Sequence, residues 1–175
     1  GWALAIGGLA IAVISPVLGQ RTDAGGKRKL WLGINTGVVI VATTAMFFVQ
    51  GYPEYFVLGI VLLTIGNVFY EMANVNYNAM LLQVSTPKNM GRISGFGWGM
   101  GYIGGIVVLL VALVGFVLGD PPYWFGVTTE AGMNIRVVAV FAAVWSLIFS
   151  IPIMLNVPEN QATGGGKKLS ILDSY

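Results

Sequence analysis

The polar residues with the clearest chemical potential lie in one long apolar stretch, residues 55–85. Glu71 is the one carboxylate of that stretch, and three asparagines accompany it at helical spacing. The set is Asn67, Glu71, Asn74 and Asn78. At about 100° per residue, these positions fall within about 60° of arc and form one polar stripe on a helix. A carboxylate on such a stripe could accept a proton or contact a cationic group.

Two interpretations of this stripe stay open. A carboxylate in hydrocarbon costs roughly 2.5–3.5 kcal/mol, so Glu71 should face the interior of a helix bundle or a water-filled path. The stripe would then line a substrate path, with Glu71 as a proton or cation acceptor. Alternatively, residues 71–85 already lie among headgroups, since Glu71 is about 24 Å from the start of its predicted helix.

The amino-acid composition indicates whether these residues belong to a soluble protein or to a membrane protein. The chain is 56% hydrophobic and 9% charged, whereas a soluble domain carries about 25% charged residues. Lipid must therefore be part of its environment, and the predicted fold is an all-α, polytopic transmembrane helix bundle. Five apolar segments are long enough to span a bilayer. They are residues 1–20, 30–50, 55–85, 93–118 and 135–157.

Charge distribution predicts the direction of these spans. Of the 9 Lys and Arg residues, all but Arg136 fall in segments 21–29, 86–92 and 158–175. Lys and Arg resist translocation, so these segments are predicted to be cytoplasmic. Because the bases lie in loops rather than along one stripe, nucleic acid is not an expected partner.

Several function classes are disfavoured by what the sequence lacks. It contains no Cys and no His, and Glu71 has no second carboxylate at similar depth. We therefore predict no enzyme activity, no metal site and no cofactor. Residues 99–104 spell G-x-G-x-x-G, but neither a preceding strand nor an acidic residue about 20 positions later supports a nucleotide site. Gly97, Gly101 and Gly105 instead form a ridge that would let another helix pack closely.

The loop from Gly19 to Lys29 carries a recognisable pattern, G-x-x-x-D-x-x-G-[RK]-[RK], which resembles the loop 2–3 signature of the major facilitator superfamily. Ala24 departs from it, at a position that is usually basic. The resemblance implies that the loop acts as a cytoplasmic gate between two access states, with a plain positive-inside loop as the alternative. For Arg92, an anchor at the inner membrane surface is the alternative to a gating role. The predicted gate residues are Gly19, Asp23, Gly26, Lys27, Arg28 and Arg92.

Two longer stretches, residues 15–29 and 77–105, resemble the branch that contains the autophagy-related vacuolar effluxers and their bacterial relatives. The resemblance implies that residues 1–157 are helices 2–6 of a twelve-helix fold, part of its N-terminal half. Residues 158–175 would be a cytoplasmic linker to a second half, which would be the chain's main protein partner. We expect the chain to be a fragment in the bacterial cytoplasmic membrane.

The same resemblance implies a secondary transporter of a small solute that works by alternating access. The eukaryotic members of the branch are linked to efflux of amino acids. A membrane protein that keeps the fold but acts as a structural or receptor-like component is the alternative.

Overall fold

The computed structural model describes residues 27–158, and these residues form helices and turns without any strand. All four long helices are long and apolar enough to span a membrane. They are α1 (Arg28–Ala45), α2 (Phe56–Val84), α3 (Met90–Phe116) and α4 (Met133–Asn156). Short 3-10 turns extend α1 through Phe48 and start α2 at Pro53. The predicted all-α fold is confirmed, while the first predicted span and most of the tail lie outside the described residues.

Successive helices are antiparallel, so the described residues have two distinct ends. The basic end, as we call it, is where α1 and α3 begin and where α2 and α4 end. Lys27, Lys29, Lys88 and Arg92 lie there. The opposite end contains the α1–α2 connection and the longer α3–α4 connection, residues 117–132.

Helices α1 and α2 share the most extensive interface, and small residues determine how close they come. A Cβ atom at Gly59 would lie 3.4 Å from Cγ1 of Val49, and one at Gly66 would lie 4.0 Å from Cβ of Ala42. Val49 directly follows the 3-10 turn that extends α1, whereas Ala42 lies inside α1. The glycines of α2 therefore meet both α1 and the segment just beyond it.

Two polar side chains of α4 connect three helices at the opposite end. Asn134 is buried and donates a hydrogen bond from Nδ2 to the carbonyl oxygen of Phe116, at 3.0 Å. Arg136 donates from Nε to the carbonyl oxygen of Phe47, and its guanidinium carbon lies 4.6 Å from the centroid of the Phe47 ring. These carbonyls lie at or beyond helix ends, where intrahelical partners run out.

The loop between α3 and α4 also packs on this end. A Cβ atom built on Gly115 would lie only 2.7 Å from Cε3 of Trp124, so the absence of a side chain admits the indole ring. The Trp124 ring meets Phe116 edge-on, with centroids 6.2 Å apart. Phe125 adopts a φ of 60° and is 92% exposed.

Few apolar side chains are fully enclosed, since most large ones face outward. A helix bundle in lipid needs no solvent-shielded core, because lipid tails are as apolar as leucine. Helix α3 packs against α4, whereas it meets α2 at only a few residues. The divergence of α2 and α3 opens a space among the four helices.

Candidate functional site: a cavity among four helices

The space among the helices is an open cavity of about 570 Å³. Every long helix contributes to its wall, and α1, α2 and α3 contribute most. Its lining residues are Leu32, Thr36, Val39, Ile40, Tyr70, Ala73, Asn74, Tyr77, Gly97, Trp98, Gly101, Tyr102 and Ser146. Ligand sites for small molecules commonly have volumes of roughly 300–1,000 Å³ and combine apolar walls with a few polar groups.

The position of the cavity along the helices can be measured from the basic end. At 1.5 Å per residue, Tyr77 and Gly97 are about 10 Å from the basic ends of their helices. Tyr70 and Tyr102 are about 20 Å from those ends by the same measure. For a hydrocarbon core about 30 Å thick that begins at the basic ends of the helices, the wall would include the level of the midplane.

The lining residues carry polar groups of four kinds: aliphatic hydroxyls, phenol hydroxyls, the indole N–H of Trp98 and one amide. Asn78 donates from Nδ2 to Oδ1 of Asn74 at 3.0 Å, which leaves the Asn74 Nδ2 group as a donor. Ser146 donates to the carbonyl oxygen of Ala142 one turn earlier in α4, at 2.9 Å. Its oxygen can still accept a hydrogen bond.

One tyrosine narrows the gap between α2 and α3. The hydroxyl oxygen of Tyr77 would lie 3.0 Å from a Cβ atom built on Gly97, so this glycine makes room for the phenol. Tyr77 reaches across at the side of the cavity nearer the basic end. Alanine at position 97 would press on that hydroxyl.

Aromatic rings form much of the wall. Trp98 and Tyr102 are four residues apart on α3, so they lie on the same helix face. Their ring centroids are 6.2 Å apart with an interplanar angle of 36°. Both rings remain more than half exposed, at 52% and 68%. Because both residues belong to the cavity lining, their rings are in a position to contact a molecule there.

The predicted polar stripe on α2 is only partly in this wall. Asn74 lines the cavity, while Asn67, Glu71 and Asn78 do not belong to the lining. Glu71 is half-buried and adjoins Tyr70 in sequence, and Asn67 and Asn78 are exposed. The hydrogen bond between Asn74 and Asn78 agrees with the predicted shared face. The role of the stripe as a substrate path stays a prediction.

Half of the predicted gate lies within the described residues, because Gly19, Asp23 and Gly26 precede them. Lys27 and Arg92 are exposed at the basic end. Arg28 is half-buried and donates from Nη1 to the carbonyl oxygen of Ala79, at 2.9 Å. The backbone of α2 therefore supplies a hydrogen-bond acceptor for Arg28, and this contact joins α1 to α2.

The predicted glycine ridge on α3 has a mixed environment. Gly97 adjoins Tyr77, and Gly97 and Gly101 line the cavity. Within residues 27–158, no atom comes within 4 Å of a Cβ atom built on Gly101 or Gly105. Helix packing at these two glycines stays a prediction.

Sequence reasoning missed the aromatic wall and the three buried amides of the described residues, Asn35, Asn76 and Asn134. Trp98 and Tyr102 lie within a stretch whose apolar character is the same all round, so hydropathy did not separate cavity-facing from lipid-facing rings. The available signal was the pair of phenol hydroxyls at Tyr70 and Tyr77. These residues are seven positions apart and therefore lie on the same face of α2. Asn35 is only 3% exposed and Asn76 only 6%, and Asn76 donates to the carbonyl oxygen of Met72.

Comparison with known proteins identifies the family. Residues 83–174, more than half of the chain, match the sequence model described as "Vacuole effluxer Atg22 like". The chain belongs to this Atg22-like family. It is also 27% identical over 159 residues to an "Uncharacterized MFS-type transporter YxiO" of Bacillus subtilis (strain 168), where MFS denotes the major facilitator superfamily. No solved structure matches the chain.

The extent of these matches defines what they support. The alignment with the Bacillus protein covers 91% of this chain but only 36% of that protein. The chain therefore spans about a third of the length of its relative. The Atg22-like match begins at residue 83, includes α3 and α4 and extends well beyond residue 105, so it covers most of the 77–105 motif but not the motif at residues 15–29. An integral, multi-pass membrane protein of a transporter family is the confirmed conclusion.

Proposed function

We propose that this chain forms part of a secondary transporter that moves a small solute across a bacterial cytoplasmic membrane by alternating access. The observation that carries the proposal is the open cavity among the four helices, with Asn74 and several hydroxyls in its wall. Substrate sites of secondary transporters lie near the midplane, at the interface between structural repeats. Membership of the Atg22-like family and the similarity to an MFS-type transporter support this assignment. Transport rather than enzyme catalysis is the proposed activity.

Within this proposal, the α2 stripe borders the substrate path and Glu71 serves as a proton or cation acceptor. Glu71 is half-buried. It follows Tyr70 and precedes Asn74 in the sequence, and it lies about 20 Å from the basic end of α2 by the helical rise. A carboxylate at that depth is costly unless it is hydrated or paired, which favours contact with a water-filled path. Asn67 and Asn78 extend the stripe toward the two ends. The basic segment at Lys27 and Arg28, with Arg92, would form the gate.

Flux measurements on the complete protein in proteoliposomes test this function. A panel of labelled small solutes is first screened for counterflow, which needs no knowledge of the coupling ion. We expect Glu71→Gln to reduce transport at least tenfold, because the isostere keeps the shape and removes the charge. Glu54→Gln is the matched control, since Glu54 is exposed near the opposite end.

The mode of failure distinguishes two roles of Glu71. Loss of accumulation driven by a pH gradient, with exchange retained, indicates coupling. Loss of both accumulation and binding indicates contact with the substrate. Normal transport by Glu71→Gln and Glu71→Ala at all pH values would show that the residue is only an interfacial anchor. The absence of flux for every solute would contradict the transporter assignment itself.

A further inference from the structure

We infer that the loop between α3 and α4 contacts the interfacial layer of the lipid bilayer through the rings of Trp124 and Phe125. The partner of this surface is lipid at the level of the headgroups, and the inference goes beyond the proposed transport function. Three features lead to it: an exposed ring on an ordered turn, the position of that turn along α3, and the charge of the loop.

The first feature is an apolar ring that the fold leaves exposed. The Phe125 side chain is 92% exposed, and Phe125 has a φ of 60°. A bulky residue rarely adopts this left-handed conformation. Backbone hydrogen bonds nevertheless order the turn, since the N–H of Tyr123 donates to the carbonyl oxygen of Val127 at 2.8 Å and that of Gly126 donates to Tyr123 at 3.0 Å. An exposed apolar ring on an ordered turn indicates contact with an apolar partner.

The second feature is the position of this turn along α3. A Cβ atom built on Gly115 would lie 2.7 Å from the Trp124 ring. The centroids of the Trp124 and Phe125 rings lie 6.2 and 6.5 Å from that of Phe116. Because Phe116 is the last residue of α3, the loop folds back over the last turn of this helix.

The length of α3 gives the depth of that last turn. Its 27 residues correspond to about 40 Å of helical rise. Hydrocarbon and headgroup layers together measure about 40–45 Å, so a spanning helix of this length reaches from one headgroup layer to the other. Val114 and Leu118 are exposed, so apolar surface continues from the spanning helix into the loop. This continuity favours lipid as the partner.

The third feature is the charge of the loop. Residues 117–132 contain two acids, Asp120 and Glu130, and neither Lys nor Arg. Attraction to anionic headgroups therefore does not hold this loop at the membrane, because such attraction requires basic side chains. Trp and Phe side chains instead enter the interfacial layer through their apolar surface. The lipid contact should thus be independent of anionic lipid.

Site-directed spin labelling of the complete protein tests the inference. A Cys-free form receives one Cys for the label, as Phe125→Cys or as Asp120→Cys, and is reconstituted in phosphatidylcholine vesicles. Oxygen concentrates in lipid, whereas a water-soluble nickel complex is excluded from it. We expect the label at position 125 to collide more often with oxygen and less often with nickel than the label at position 120, because a charged side chain stays in water. Addition of phosphatidylglycerol should leave this difference unchanged.

Hydrogen exchange in phosphatidylcholine nanodiscs tests the contribution of the ring itself. We expect Phe125→Asp to speed exchange of the Gly126 and Val127 amides about tenfold, because the apolar contact with lipid is lost. Phe125→Leu is the matched variant and should change exchange little, since it keeps an apolar side chain. Asp adopts the left-handed conformation more readily than Leu does. Faster exchange in Phe125→Asp alone therefore cannot come from the local backbone preference.

The other outcomes overturn the inference. Frequent collision with nickel would place the label at position 125 in water. Rare collision with both probes would show that protein covers it, from the complete chain or from a partner. A lipid contact that requires phosphatidylglycerol would be electrostatic rather than apolar. Equal exchange in Phe125→Asp and Phe125→Leu would show that the ring does not hold the loop. None of these results contradicts the transporter assignment, which the flux measurements test separately.

Discussion

The two ends of the described helices are held together in different ways. At the opposite end, Arg136 and Asn134 of α4 donate to backbone carbonyls of the segments that follow α1 and end α3. Trp124 covers Gly115 at the same end. At the basic end, Arg28 joins α1 to α2, and the sulfur of Met154 lies 3.3 Å from a Cβ atom built on Gly33.

At the opposite end a hydrogen bond joins α3 to α4, whereas the contacts just described at the basic end join α1 to α2 and to α4. This difference indicates where the helices can move relative to one another. Local motion is greatest where few buried contacts join neighbouring elements. Helices α2 and α3 diverge around the cavity, and the hydroxyl of Tyr77 reaches from α2 toward Gly97 of α3. We therefore expect the opposite end to behave as a rigid unit and the basic end of α3 to be more mobile.

Arg136→Ala should produce the largest effect, a loss of about 3 kcal/mol in the free energy of unfolding. The change removes a hydrogen bond from a charged donor and a cation–π contact with Phe47. Chemical denaturation of the purified protein in detergent measures it. Arg92→Ala, at an exposed base of the basic end, should change stability by less than about 0.5 kcal/mol. Equal losses in the two variants would invalidate the contrast between the ends.

Gly115→Ala should be the next largest, at about 1–3 kcal/mol, because the new Cβ atom would overlap the Trp124 ring. Trp124→Leu in the same chain should relieve most of that loss, and the double-mutant cycle measures the coupling. Gly101→Ala is the control, since a Cβ atom there meets no described atom within 4 Å. From the contacts among residues 27–158 alone, it should be neutral or stabilise the helix by up to about 1 kcal/mol.

The outcome for Gly101→Ala also bears on the glycine ridge. If Gly101→Ala destabilises the complete protein as much as Gly115→Ala does, a helix outside residues 27–158 packs against α3 at this point. That result would confirm the packing predicted for the ridge.

Two asparagines give the smallest and most direct comparison. Asn134→Ala removes a buried hydrogen bond to Phe116 and should cost about 1–3 kcal/mol. Asn89→Ala removes an exposed hydrogen bond, in which Oδ1 accepts from the Thr86 N–H at 2.6 Å. It should cost about 0.5–1 kcal/mol. The same truncation at each end thus tests the contrast, and a larger loss at Asn89 would reverse it.

The helices themselves could be predicted closely from the sequence. Predicted span 30–50 corresponds to Arg28–Phe48, and predicted span 135–157 corresponds to Met133–Asn156. Length and apolarity determine a membrane helix, and both are local properties of the chain. Pro53 and Pro87 lie between predicted spans, so the approximate boundaries of the helices could be predicted too.

The rotation of each helix about its own axis decides which side chains face the neighbouring helices. This rotation could not be predicted from the sequence in the same way. Periodicity grouped Asn67, Glu71, Asn74 and Asn78 on one face, but it could not show that only Asn74 would line the cavity. The partner of Arg136 was hidden for a related reason. Its hydrogen-bond acceptor is a backbone carbonyl, which every residue possesses, so no side-chain pattern identifies Phe47.

The hydrogen bond between Arg136 and Phe47 joins residues that are 89 positions apart. A ribosome adds roughly 5–20 residues per second. The carbonyl of Phe47 is therefore made on the order of ten seconds before its partner exists. During synthesis α1 and α2 can pair at once, whereas the bundle reaches its final form only after α4 has entered the bilayer. The donor that completes the assembly is thus among the last parts of the described helices to be translated.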